Sequence, residues 1–257
     1  APAPGTPPAF WMHQIDHLAD RRRIVVFEHP EVQGDGASRP APTRSDEDRR
    51  RDVLGALDAA ELPSAALVSW GLGAQLALDA VAAAPERWTH LALLAPLLSS
   101  SFARSMGLTG DDGVGSALGR LAVRATPLLA QARRRLGPRV DPVAWLRRAR
   151  LASPTIEQEA LEAAIDALGR SDGRGIALVL AALEAQRRGP SPESITTPAL
   201  LLVGEADVVA SGRLARRLAR RLPFGESHLV PGATHLLPLE YPEYVSLAIE
   251  RFVAGAR

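Results

Sequence analysis

Leu67-Val68-Ser69-Trp70-Gly71-Leu72-Gly73-Ala74 leads a strand into a helix through a glycine turn, and the rest of the chain falls into order around it. Upstream, Ala65–Val68 is a short continuous apolar run, the mark of a strand buried on both faces. Downstream, Ala74–Ala84 is an Ala-rich helix stopped by Pro85. Ile24–Phe27 and Leu91–Leu94 are two more runs of the buried-strand kind. Between the first two lies Ser45–Ala60, a helix with a capping serine, acids in its first turn, and Val53, Leu54 and Leu57 on one face. The order strand, helix, strand, helix, strand at this spacing demands parallel crossovers. The expected fold class is therefore α/β, a mostly parallel sheet covered by helices on both faces.

Ala1–Pro8 is irregular, Phe10–Asp20 reads as a helix ending in the basic run Arg21–Arg23, and Glu28–Pro42 is a Gly- and Pro-rich loop. From Ser99 to Ser194 the pattern becomes all helical, with helices expected at Leu118–Leu136, Pro142–Arg150, Ile156–Leu168 and Gly175–Arg188. The arginine clusters there, such as Arg133–Arg135, read as solvated faces. Strand character returns at Ala199–Val203 and Ser227–Val230, each followed by a helix, Ser211–Leu222 and Tyr244–Val253. The chain thus divides into residues 1–98, the first part of the sheet domain, 99–195, a helical insertion, and 196–257, its second part.

The 257 residues suit one large domain, or one domain with an insertion, and 46% hydrophobic residues suffice for a core. There is no cysteine, so no thiolate nucleophile and no disulfide framework, and a cytoplasmic location is expected. All 30 basic residues are arginine, which excludes a Schiff-base lysine and a P-loop. A net charge of +1 gives no bias toward nucleic acid or an anionic membrane. No apolar run is long enough to span a bilayer, no secretory signal is legible, and the missing initiator Met implies a processed, excised or trimmed start. His13, His17, His29, His90 and His228 lack metal-ligand spacing, and Gly71-Leu72-Gly73 lacks the full dinucleotide fingerprint, so neither metal nor cofactor is expected.

Three segments, in chain order, resemble the α/β-hydrolase family. The glycine turn resembles the nucleophile elbow, G-x-S-x-G. Leu201-Leu202-Val203-Gly204-Glu205-Ala206-Asp207 is similar to the strand and loop carrying the triad acid. Val230-Pro231-Gly232-Ala233-Thr234-His235, with the trailing Glu240-Tyr241-Pro242-Glu243, looks like the histidine loop. Pro85-Glu86-Arg87 is also family-like. The resemblance spans nearly the whole chain and implies His235 as general base, Asp207 as its carboxylate partner, and the Leu72 N–H as an oxyanion donor. It also implies a lid in the helical insertion, with Trp70 walling the pocket.

Three departures stand against it. Counted forward from Leu57-Asp58-Ala59 and back from Pro85-Glu86-Arg87, the nucleophile belongs at position 71, which is glycine. Ser69 is the alternative nucleophile, but reading it so loses the first glycine of the motif. It fits better in the small-residue slot before the turn, beside the pocket. The second oxyanion donor belongs near Pro2-Ala3-Pro4-Gly5-Thr6, where Ala3, Gly5 or Thr6 would have to donate since proline has no N–H. The family also places a strand between the Ile24 and Ala65 strands. None is legible there or before Ala1, so the N-terminal strands are expected to be missing from this chain: the native polypeptide extends N-terminally, and this chain either lacks that part or pairs with it as a separate N-terminal polypeptide completing the sheet.

Three functions remain open. The first is an acyl hydrolase acting on an ester, thioester or similar apolar carbonyl small molecule, with its serine replaced by Gly71. The second is a biosynthetic cyclase or lyase that uses His235 and Asp207 for proton transfer. The third is a non-catalytic binding protein that keeps the pocket. Glu28 is expected to brace the Gly34–Ser38 loop, and Glu205 is a second-choice acid.

Overall fold

The computed structural model describes residues 8–28, 44–108, 114–170, 173–186 and 188–255. A 3-10 turn, Pro8–Trp11, opens into α1 (Met12–Ala19), and α2 follows at Asp46–Ala59. The Ser45 side chain accepts from Asp48 N–H while the Asp48 carboxylate takes Ser45 N–H, a reciprocal cap that starts α2 where the sequence places it. Then come β1 (Ala65–Trp70), α3 (Gly73–Ala83) and β2 (Trp88–Leu94). Five helices follow without a strand: α4 (Ser100–Ser105), α5 (Val114–Leu136), α6 (Pro142–Arg148), α7 (Gln158–Arg170) and α8 (Gly173–Ala185). The chain returns to the sheet with β3 (Ala199–Gly204), α9 (Gly212–Arg221) and β4 (Gly225–Val230), then closes with α10 (Leu237–Glu240) and α11 (Pro242–Val253).

The four strands lie in the order β1-β2-β3-β4, all parallel. β3 and the second half of β2 are buried on both faces, which is why they read as unbroken apolar runs, whereas β4 leaves Glu226, His228 and Leu229 exposed. Leu91, Leu93, Leu201 and Val203 pack with α2, α3 and α9 on one face. Ala92, Leu94, Leu200 and Leu202 pack on the other with residues of α11 and of the helical insertion. In a parallel sheet every strand ends at the same edge, so Trp70, Leu94, Gly204 and Val230 bring their following loops together.

Residues 24–27, expected as a strand, are extended but belong to no strand of the sheet among the described residues. Ile24, Val25 and Val26 are more than a third exposed, a large apolar exposure for consecutive residues. The reason is geometric. A groove of about 180 Å³ separates them from Ala65–Val68 of β1, roofed by Trp11, Ile15 and Leu18 of one layer and by Val53 and Leu57 of the other. The helices that should cover a strand here are in place, and among the described residues no strand of the sheet lies between them. The loop that Glu28 was expected to brace, and Pro2–Thr6 with Gly5, lie outside the described residues.

The helical insertion is fastened to the sheet domain by buried amides. Gln75, in the first turn of α3 and fully buried, donates to the Leu183 carbonyl at 2.8 Å and to Gln186 Oε1 at 3.1 Å. Its own Oε1 accepts Ser99 N–H, and Gln186 Nε2 donates to Asp79 one turn further along α3. Burial raises the Asp79 carboxyl to about 6, an effect that the Gln186 bond only partly offsets.

Candidate active site

At the end of β1 the backbone turns through Gly71, whose φ of +58° lies in the left-handed region that favours glycine. Gly71 N–H donates to the Leu94 carbonyl at 3.1 Å, and its carbonyl accepts from Leu97 N–H at 3.0 Å and Ala74 N–H at 3.2 Å. The turn is thus tied to the end of β2 and to the start of α3. Ala95, just beyond β2, is also forced to a positive φ of 43°, so backbone strain gathers at this edge. The next residue, Leu72, sits at the N-terminus of α3, and its N–H donates to no protein group among the described residues.

Asp207 lies just past β3. Its Oδ1 accepts from Val209 N–H at 2.7 Å and Ala210 N–H at 2.8 Å, and its Oδ2 lies 3.0 Å from His235 Nδ1. The Asp207 side chain is wholly buried and that of His235 is 3% exposed. With Oδ1 held by two backbone N–H groups, Oδ2 is left for the imidazole, and because a carboxylate only accepts, the imidazole proton sits on Nδ1. Nε2 is then the acceptor, and it bonds no protein group among the described residues.

Trp70 reaches the same imidazole from β1. Its Nε1 donates to the His235 carbonyl at 2.8 Å, its ring lies 5.0 Å from the imidazole, and Phe10 stacks on its other side at 4.4 Å. Strand parity then sends Ser69 to the opposite face. Ser69, expected beside the pocket, is instead 0% exposed in β1, with its hydroxyl unpartnered. It therefore does not line the side where Trp70 meets His235. Glu205, the second-choice acid, is exposed, and only its N–H is engaged, by the Val230 carbonyl.

Gly204 is a position whose importance the sequence does not announce. A Cβ there would stand 2.3 Å from the Ala233 carbonyl oxygen, so only glycine lets the end of β3 meet the histidine loop. Ala206 N–H bonds that same Ala233 carbonyl, which locks the loop carrying Asp207 to the loop carrying His235. Phe10 and Glu240 were also missed as parts of the site. Glu240 stood in the trailing motif, the only signal for it. Among the described residues no group of His, Cys, Asp and Glu is arranged to hold a metal ion. No described helix is long and apolar enough to cross a membrane.

Comparison with known proteins adds the following. The family model of the alpha/beta hydrolase family matches residues 3–247. The dihydrolipoyllysine-residue acetyltransferase component of an acetoin cleaving system from Pseudomonas putida is 26% identical over 244 residues, 95% of this chain but 59% of that relative. The chain therefore spans about three-fifths of the length of that relative. A candidate carbamate hydrolase, RutD, from Caulobacter is 23% identical over 265 aligned residues, 96% of this chain and 86% of that one. Among solved structures, the enol-lactonase of Burkholderia xenovorans superposes with a TM-score of 0.68 at 22% identity, covering 99% of this chain and 89% of the other.

Proposed function

We propose that this chain, which belongs to the alpha/beta hydrolase family, is built for acyl transfer to water, with Gly71 standing where the nucleophilic serine would be. The substrate class is an ester, thioester or related carbonyl compound, small and apolar. His235 is the base, Asp207 holds its tautomer and offsets the charge on the imidazolium, and Leu72 N–H faces the developing oxyanion. The helical insertion is the lid, and the reading needs no cofactor, metal or nucleic acid and places the protein in the cytoplasm.

One observation carries this reading. The buried Asp207–His235 pair, 3.0 Å apart, stands at the same sheet edge as a turn whose φ of +58° has the geometry of an elbow. The relatives lend the reaction class. The curated RutD relative is a carbamate hydrolase candidate and the superposed structure an enol-lactonase, and both names describe carbonyl chemistry.

The test is Gly71→Ser assayed on activated esters. A gain of about 10³-fold or more in hydrolysis is expected, the order lost when a triad nucleophile is removed. Serine at φ +58° is strained, so the same variant should lose about 1–2 kcal/mol of stability, read by denaturant titration. Folded protein with no gain in hydrolysis would turn the reading toward proton transfer in a cyclisation or elimination, or toward binding alone. His235→Ala then separates those two, since a binding protein keeps its affinity.

The groove between residues 24–27 and β1 belongs to the same proposal. Its mostly apolar lining, interrupted by Gln14 and Arg23, fits one further parallel strand, supplied by polypeptide outside residues 1–257.

A further inference from the structure

We infer that Glu240 is the positioning residue of the histidine loop, and that it transmits the placement of the helical insertion to His235. This rests on the reading of His235 as the base. Glu240 ends α10 and is 8% exposed. Its Oε2 accepts Thr234 N–H at 2.6 Å, so it holds the residue directly before His235. Its Oε1 accepts Ser153 N–H at 2.6 Å and lies 2.5 Å from the Thr234 hydroxyl. That hydroxyl also lies 2.9 Å from the Leu151 carbonyl.

Leu151 and Ser153 belong to the segment between α6 and α7, and so to the helical insertion. The Glu240 carboxylate, together with the Thr234 hydroxyl, therefore joins the insertion to the peptide that carries the base. Leu151, Ala152, Ser153 and Thr234 are all buried, so no water competes for these bonds. Among the described residues no guanidinium bonds Glu240; two backbone N–H groups hold it, and the Thr234 hydroxyl shares its one proton between it and the Leu151 carbonyl. Desolvation is tolerable for a carboxylate only while such donors stay in place. When the insertion moves, Ser153 N–H leaves, Oε1 is left short of a donor, and the carboxylate must shift or admit water. Thr234 and His235 then shift with it. Trp70 and Asp207 fix the carbonyl and the ring of His235, whereas Glu240 is the element that answers to the insertion.

The discriminating substitution is Glu240→Gln, which keeps the volume but turns an amide NH₂ toward one of the donors. In the otherwise unchanged chain, amide exchange at both Ser153 and Thr234 should quicken at least tenfold, while Leu93 and Leu201 in the sheet stay protected. The proton on His235 Nδ1, followed by NMR, should broaden or shift. Thr234→Val, of nearly equal volume, should give the same pattern at smaller amplitude. It also stands in if Glu240→Gln fails to fold. In the Gly71→Ser background, Glu240→Gln should lower kcat about tenfold or more and leave KM within twofold. Loosening of one loop without the other, or of both with an unmoved His235 signal, overturns the coupling. The exchange and NMR readouts need no turnover, so they stand even if Gly71→Ser produces no hydrolysis.

Discussion

At the scale of the residue, the candidate site depends on two glycines for opposite reasons. Gly71 supplies a backbone conformation, and Gly204 supplies room. Gly204→Ala should cost about 1–3 kcal/mol, because its Cβ would press on the Ala233 carbonyl from 2.3 Å and backbone on both sides must give. A lowered Tm with a perturbed His235 ring signal is the expected result, and an unchanged Tm would show that the two loops are not in close register. Asp207 and His235 stand in the two segments that resemble the family's loops, and the structure brings their side chains to 3.0 Å. Gly204 was not, since the group it avoids lies 29 residues along the chain and only tertiary structure brings it near. The face that Ser69 takes was not legible either. Strand alternation gives two faces, but nothing in the run 65–70 says which one looks at the histidine.

Among the elements, α3 has two roles that are separable by pH. Its first turn carries the Leu72 N–H, and its Gln75–Asp79 face binds the end of α8. The Asp79 carboxyl is raised to about 6 from its ordinary value of 3.8, so the folded state favours its protonated form. That contribution is complete below about pH 4 and is lost as pH rises through 6. The linkage is worth roughly 3 kcal/mol at one pKa unit per 1.36 kcal/mol, an order of magnitude only. Asp79→Asn, which still offers Gln186 an acceptor, should therefore stabilise the protein at pH 8 and leave it nearly unchanged at pH 4. Thermal melts at the two pH values measure this, and equal effects at both would exclude Asp79 as the source. The helices of this region were legible by their apolar periodicity, with ends displaced by a few residues. Helix α4 was not, because six residues are too few for a period, and Ser99–Ser101 read as loop although Ser99 caps the helix by accepting Phe102 N–H.

For the molecule as a whole, the parallel sheet and its split by a helical insertion were legible, because buried strands and crossover helices leave different patterns. The state of residues 24–27 was not, since a buried-strand pattern reports the surroundings a segment is suited to and not whether they are supplied. Joining a five-residue Val/Ile strand ahead of Ala1 should fill the groove. Covering Ile24, Val25 and Val26 at about 25 cal/mol per Å² would raise Tm by several degrees and slow amide exchange across Ala65–Val68. Unchanged exchange at those residues would mean that the groove is not a strand site. A last consequence follows from the indole of Trp70, which bonds the His235 carbonyl from the far margin of the sheet. Strands β1 and β4 have β2 and β3 between them, and each backbone ladder reaches only its neighbour. The indole ties the end of β1 directly to the histidine loop that leaves β4. As the sheet twists and breathes, the interval between the glycine turn and the imidazole follows the length of one rigid aromatic side chain, not the summed slack of three ladders.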